Sequence, residues 1–252
     1  MIAEIKGKVN RQNTNLTELE EDELTGNFFG TLRYIPFHKG MKKILKNSIH
    51  PPELGSTIDE IDAGYWDENL LLWERIKENG KVTELDAILD FSDIIIGIEV
   101  KYRSGLSSED EKGADNISAE NSANQLSREA RALHRTGSGK KKVLLLLADE
   151  AVCAETVRDV KVVKDVSLGY FSWQEVLIQL KNLTGLNRFE QLIVSDLIAL
   201  LERKGFFRFS DFHFAMPDIS GNDYWHFELP VQYNTFSFGF DKIVEKRYYE
   251  FG

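Results

Sequence analysis

Asp86, Glu99 and Lys101 are the residues of this chain whose types and spacing could do chemistry together. Thr83–Phe91 and Ile94–Tyr102 read as two strands separated only by Ser92 and Asp93, a hairpin pattern although Ser-Asp is not the ideal turn pair. Alternation puts Ile95, Gly97, Glu99 and Lys101 on one face, with Ile94, Ile96, Ile98 and Val100 pointing into a core. A turn centred between Ser92 and Asp93 sets Asp86 opposite Glu99, with Cβ atoms about 4.5–5.5 Å apart. Two carboxylates that close repel unless a proton or a metal intervenes. Mg²⁺ suits them, because it takes oxygen ligands and keeps several waters; Mn²⁺ can substitute, and the Val100 carbonyl offers one more oxygen. Lys101 on the same face could position an attacking water or balance developing negative charge. This is the equipment of phosphodiester hydrolysis. For a bare Glu-x-Lys in a strand, which is commonplace, a cross-strand salt bridge at a sheet edge with Asp86 solvated is the favoured explanation. The hairpin spacing of Asp86, the apolar strand that Glu99 ends and the helix bearing Gln125 tip the balance toward chemistry.

Leu85-Asp86-Ala87-Ile88-Leu89 followed by Ile98-Glu99-Val100-Lys101 resembles the paired motifs of the PD-(D/E)xK nuclease superfamily, which includes restriction endonucleases, RecB-type nuclease domains and archaeal Holliday junction resolvases. The resemblance implies a Mg²⁺-dependent nuclease acting on DNA, with a restriction-endonuclease-like core. Asp86 and Glu99 are then metal ligands and Lys101 the catalytic lysine. Asn124-Gln125-Leu126 is similar to the glutamine-bearing helix of RecB-like members, where Gln125 would orient the lysine or touch substrate. Two positions depart from the pattern: Glu129 stands where a tyrosine is expected, and Leu85 replaces the proline that names the motif. Many members add an acid from the first helix, and Glu21 is the choice here because it shares a face with Phe28 and Leu32. A favourable charge at a helix N-terminus accounts for Glu21 just as well. The resemblance runs from Glu18 to Phe171, with specific residues only between Asp86 and Gln125; Asn27-Phe28-Phe29-Gly30 and the strand around Trp73 also resemble uncharacterised bacterial members, and a nuclease of this kind would serve bacterial defence or DNA processing.

Several elements must position these residues. A helix carrying Leu24, Phe28, Phe29, Leu32 and Tyr34 is expected, N-capped by Thr17 and ended by Pro36. A short helix over Met41–Lys46 leads to a turn at His50-Pro51-Pro52. Leu70–Ile76 reads as a strand closed by Glu78-Asn79-Gly80. Ser104–Ser122 is polar and reads as a mobile loop. After it come a helix over Ala123–Leu133, strands over Lys142–Leu147 and Val166–Phe171, and helices over Trp173–Lys181 and Phe189–Lys204. The expected fold is α/β, a mixed central sheet flanked by helices. Residues 1–205 are expected to form the nuclease-like domain, with residues 206–252 an aromatic-rich C-terminal extension packed on the core. A base-stacking platform is the other reading of those aromatics.

Composition sets limits. The chain has 252 residues, 42% hydrophobic and 29% charged, as an ordinary globular protein has. One cysteine, Cys153, excludes a disulfide framework and suits a reducing compartment. The longest apolar run, Val143–Ala148, is too short to span a bilayer, so the expected location is cytoplasmic, away from membranes. The net charge of −10 opposes a role in binding nucleic acid, unless basic residues cluster locally or a protein partner delivers substrate. It also supports the alternative that the chain is an inactive nuclease-fold binding or scaffold module. A homodimer would let two sites cut both strands, though no segment marks an interface. Gly137-Ser138-Gly139-Lys140 lacks the rest of a phosphate loop, and with Lys141 and Lys142 it reads as a solvated basic turn that could touch a nucleic-acid backbone. The five histidines show no zinc-ligand spacing, and Asp211 with His213 lacks a nucleophilic serine.

Overall fold

The computed structural model describes residues 16–78, 81–110 and 117–208. The chain divides at Arg208–Phe209, and the aromatic-rich stretch beyond, including Asp211 and His213, lies outside the described residues. Seven helices and five strands occur among the described residues: α1 (Leu16–Leu32), α2 (Met41–Ser48), α3 (Glu53–Asp59), β1 (Leu70–Glu78), β2 (Lys81–Asp90), β3 (Ile94–Val100), α4 (Gln125–Arg135), β4 (Lys141–Ala148), α5 (Glu150–Arg158), β5 (Val166–Ser172), α6 (Trp173–Lys181) and α7 (Arg188–Arg203).

The strands form one sheet in chain order, β1-β2-β3-β4-β5. β1, β2 and β3 are antiparallel neighbours, whereas β3, β4 and β5 run parallel. Tight turns allow the first arrangement, and the helices that intervene after β3 and β4 allow the second. The result is an α/β fold with a mixed five-stranded sheet flanked by helices. Every residue of β3 is buried, as a central strand covered on both faces requires. Its Ile94, Ile96, Ile98 and Val100 join the larger core, built with α1, α2, α6 and α7. Ile95 faces the smaller core, where Leu126, Ala130 and Leu133 of α4 cover the sheet.

Gly97 sets how closely α4 approaches. A Cβ there would lie 3.3 Å from Leu133 and 3.4 Å from Leu144 and Leu85. Aromatic side chains brace the opposite face: Phe28 of α1 meets the Trp173 ring edge-on at 5.2 Å, and Phe206 stacks on Trp173 at 5.3 Å. A capping box between Ser172 and Glu175 starts α6 at Trp173, the point at which that indole is needed.

Some expectations need correction. Thr17 lies inside α1 and does not cap it, because the helix already includes Leu16. α1 stops at Leu32, and successive turn hydrogen bonds from Tyr34 and Ile35 carry the chain toward Pro36. Leu24, Phe28, Phe29 and Leu32 are fully buried, but Tyr34 lies past the helix end and is 52% exposed. α3 and α5 are additional short helices. Pro51 and Pro52 make the first look like a turn, and only Cys153 of the second is buried, which leaves little periodic signal. Cys153 is packed away, and burial pushes its thiol up to about 12. No helix among the described residues is long and apolar enough to cross a membrane.

The close approach of α4 is testable. Gly97→Leu should lower unfolding free energy by about 1–3 kcal/mol through overpacking, measured by urea denaturation. An unchanged midpoint would mean that the α4–sheet contact is looser than the geometry indicates.

Candidate active site

The hairpin between β2 and β3 turns at Ser92-Asp93, with the Phe91 N–H donating to the Ile94 carbonyl at 2.9 Å. Its register pairs Leu89 with Ile96 and Ala87 with Ile98, the alignment that places Asp86 across from Glu99. The ladder stops there. At the next step the Val100 N–H donates to Oδ2 of Asp86, at 2.8 Å, so a side chain stands where a strand carbonyl is expected.

Lys101 lies just past the end of β3, with its backbone held on two sides. Its N–H donates to the Leu147 carbonyl at 2.8 Å, and its own carbonyl accepts from the Trp173 indole at 3.1 Å. Its ammonium is 2.8 Å from Oε1 of Glu99 and 3.1 Å from Oε1 of Glu21. The second oxygen of Glu21 accepts from the Tyr102 N–H at 2.9 Å and from the Ser104 hydroxyl. One carboxylate of α1 therefore fixes both the lysine and the chain leaving β3.

From the other face, α4 contributes Gln125 and Glu129. The Asn124 side chain caps the helix by accepting from the Leu126 and Ser127 N–H groups, which places Gln125 in the first turn. The Gln125 amide nitrogen donates to Oε1 of Glu99, and its carbonyl accepts from the Ser107 N–H at 2.7 Å. Glu129, one turn along, hydrogen-bonds both Gln125 and Glu99, while its Oε2 is buried with no partner. Asp86, Glu99, Lys101, Gln125 and Glu21 are thus gathered from four elements and the end of β3. Glu129 belongs with them and was not among the candidate residues. Its one sequence signal was its position four residues after Gln125, where a tyrosine was expected.

Four carboxyl groups surround one ammonium, and the electrostatics follow from that ratio. Burial, then the Glu99 charge, pushes Asp86 well above the usual carboxylate range. Burial and the Glu129 carboxylate do the same to Glu99. Burial raises Glu129 to about 8, with the Asp86 charge adding to the effect. Burial alone would lower Lys101, but the Glu99 and Glu21 carboxylates outweigh it and hold the ammonium above its ordinary value. Two carboxyls in contact must share a proton or a cation.

Among the described residues, no group of three or more His, Cys, Asp or Glu side chains gathers as a metal cage. The oxygen donors that adjacent strands bring together are the two carboxyls of Asp86 and Glu99. The Val100 carbonyl lies on the same strand edge as the N–H that reaches Asp86. The basic turn is not the free cationic surface that its sequence suggests. Lys140 pairs with Asp90, Lys141 with Glu60, and Lys142, nearly buried, lies 3.4 Å from Asp165. A scan of the chain against protein-family models, curated proteins and solved structures matches none of them.

The crowding of carboxyls makes stability depend on pH. Glu129 titrates near 8 in the folded protein against about 4.5 when unfolded. The fold therefore favours its protonated form, and that stability is fully present below about pH 4.5 and is lost as pH rises through 8. Metal-free protein should lose stability across that window by up to ~1.4 kcal/mol per pH unit for this group. Glu129→Gln should flatten the slope in urea denaturation at a series of pH values. An identical slope in the variant would show that Glu129 is already ionised at neutral pH.

Proposed function

We propose that this chain is a Mg²⁺-dependent nuclease with a restriction-endonuclease-like core, hydrolysing phosphodiester bonds in DNA. The observation that carries the reading is the Lys101 ammonium, held between Glu99 and Glu21 with Asp86 across the strand pair. A lysine beside paired strand carboxylates is the arrangement that a phosphoryl site needs, a cation for the developing charge and oxygen donors for a metal.

The donor set suits Mg²⁺. That ion is commonly held by one or two carboxylates, with water and substrate phosphate as its other ligands. Asp86 and Glu99 would hold it, with the Val100 carbonyl as a third oxygen. Burial first, and then neighbouring carboxylates, push both carboxyls upward, so a bound cation would offset a charge penalty that Lys101 offsets only in part. When bound, the metal supplies a lowered pKa for coordinated water and stabilises negative charge on the phosphoryl group.

The remaining roles belong to the chain. Lys101 orients the attacking water or neutralises a phosphoryl oxygen as negative charge builds. Glu21 gives the ammonium a second anchor, so its position does not depend on Glu99 alone. Gln125 fixes the Glu99 carboxylate by donating to one of its oxygens. The neutralised turn at Lys140–Lys142 and the net charge of −10 favour a second reading, an inactive binding or scaffold module of the same fold.

Cleavage of plasmid and single-stranded DNA with Mg²⁺ or Mn²⁺ separates the two readings. Asp86→Ala and Lys101→Ala should each slow cutting at least about 10²-fold. Folded wild-type protein that cuts neither substrate supports the scaffold. Cutting that survives both substitutions places the activity elsewhere.

A further inference from the structure

Trp73 has φ 55°, the one non-glycine residue in the left-handed region among the described residues. For a bulky side chain in a strand this is a conformational outlier, which persists only where the surroundings impose it. It sits opposite Asp86. The β1–β2 register is unbroken on either side, Leu72 with Ala87 and Glu74 with Leu85, yet the rung between Trp73 and Asp86 is missing. No residue has been inserted. The strands have instead turned over.

The cores record the turnover. Successive strand residues should alternate between faces. Leu70 and Leu72 face the larger core, but Trp73 follows Leu72 into it. On β2, Leu89 and Ala87 face the larger core and Ile88 the smaller, yet Leu85 also joins the smaller core. Both strands change face at the rung of Trp73 and Asp86.

This has a consequence for Asp86. Phe91 and Ile94 form a hydrogen-bonded pair, and such pairs recur every second residue, so an undisturbed ladder would send the Val100 N–H to the Leu85 carbonyl. Leu85 has rotated away, and the Asp86 carboxylate takes that N–H. We propose that Trp73 is a positioning residue: its left-handed backbone turns over the β1–β2 ribbon and delivers the Asp86 carboxylate to the end of β3. Its relevance to metal binding rests on the nuclease reading, whereas its effect on Asp86 does not.

Two kinds of substitution isolate the backbone from the indole, since both remove the ring. Asn tolerates the left-handed region, whereas Val and Thr, branched at Cβ, favour a regular strand. Crystal structures of Trp73→Asn, Trp73→Val and Trp73→Thr, with Mn²⁺ titrations by calorimetry, are the test. The Asn variant should keep the Val100 nitrogen within about 3 Å of Asp86. The Val and Thr variants should restore the rung to Asp86, return the Val100 N–H to Leu85 and bind Mn²⁺ at least about tenfold more weakly than the Asn variant. They should do so while melting at the same or a higher temperature than the Asn variant, so that weaker metal binding is not explained by lost stability. A retained Val100–Asp86 bond in the β-branched variants, or metal affinity that merely tracks melting temperature, would overturn the proposal. Wild-type protein that binds no Mn²⁺ would defeat the nuclease reading alone, because the crystal structures still decide what Trp73 does.

Discussion

Like charges in a confined space are what the rest of this structure has to accommodate. Glu21, Asp86, Glu99 and Glu129 converge on Lys101, and Glu99 and Glu129 have almost no exposure. Four ionised carboxylates around one ammonium cannot be stable in a medium that screens poorly. The protein answers in three ways: Lys101 is held charged, Glu129 is held near neutrality, and backbone or amide N–H groups reach Asp86, Glu99 and Glu21. What remains is a cluster in which four carboxyl groups share one ammonium.

The fold keeps those groups together against their repulsion. β2 and β3 supply Asp86 and Glu99 from the centre of the sheet, where both faces are covered. α1 reaches the site with Glu21 only because Leu24, Phe28, Phe29 and Leu32 bury the side of the helix that Glu21 shares with Phe28 and Leu32. Burying side chains of that size is worth roughly 1.5–3 kcal/mol each, enough to hold an acid beside other acids. α4 is held close by Gly97 and brings Gln125 and Glu129 from the other face. Trp173 belongs to both systems, packing against Phe28 while donating to the Lys101 carbonyl.

Much of this is legible in the sequence where a short-range rule applies. The β-branched run at Ile94–Ile96 and the two-residue Ser92-Asp93 turn define the hairpin, and with it the relation of Asp86 to Glu99. Glu21 can be singled out because it lies seven residues from Phe28 and eleven from Leu32, on one helix face. Other features depend on distant partners. Glu129 looks like an ordinary surface glutamate of a helix until α4 docks on the sheet. Lys140, Lys141 and Lys142 read as a free basic turn because their acids lie 50, 81 and 23 residues away. Trp73 has ordinary strand chemistry, and no local signal marks a backbone that the tertiary structure forces into the left-handed region.

A crystal of the wild-type chain grown with Mn²⁺ at neutral pH, with anomalous data collected at the manganese edge, tests the central claim most directly. A single anomalous peak about 2.1 Å from one oxygen each of Asp86 and Glu99, with Lys101 displaced no further than its Glu21 anchor allows, is the predicted result. No peak at saturating Mn²⁺, with the Lys101–Glu99 contact intact, would mean that the cluster is satisfied by its own protons and ammonium and is not a metal site.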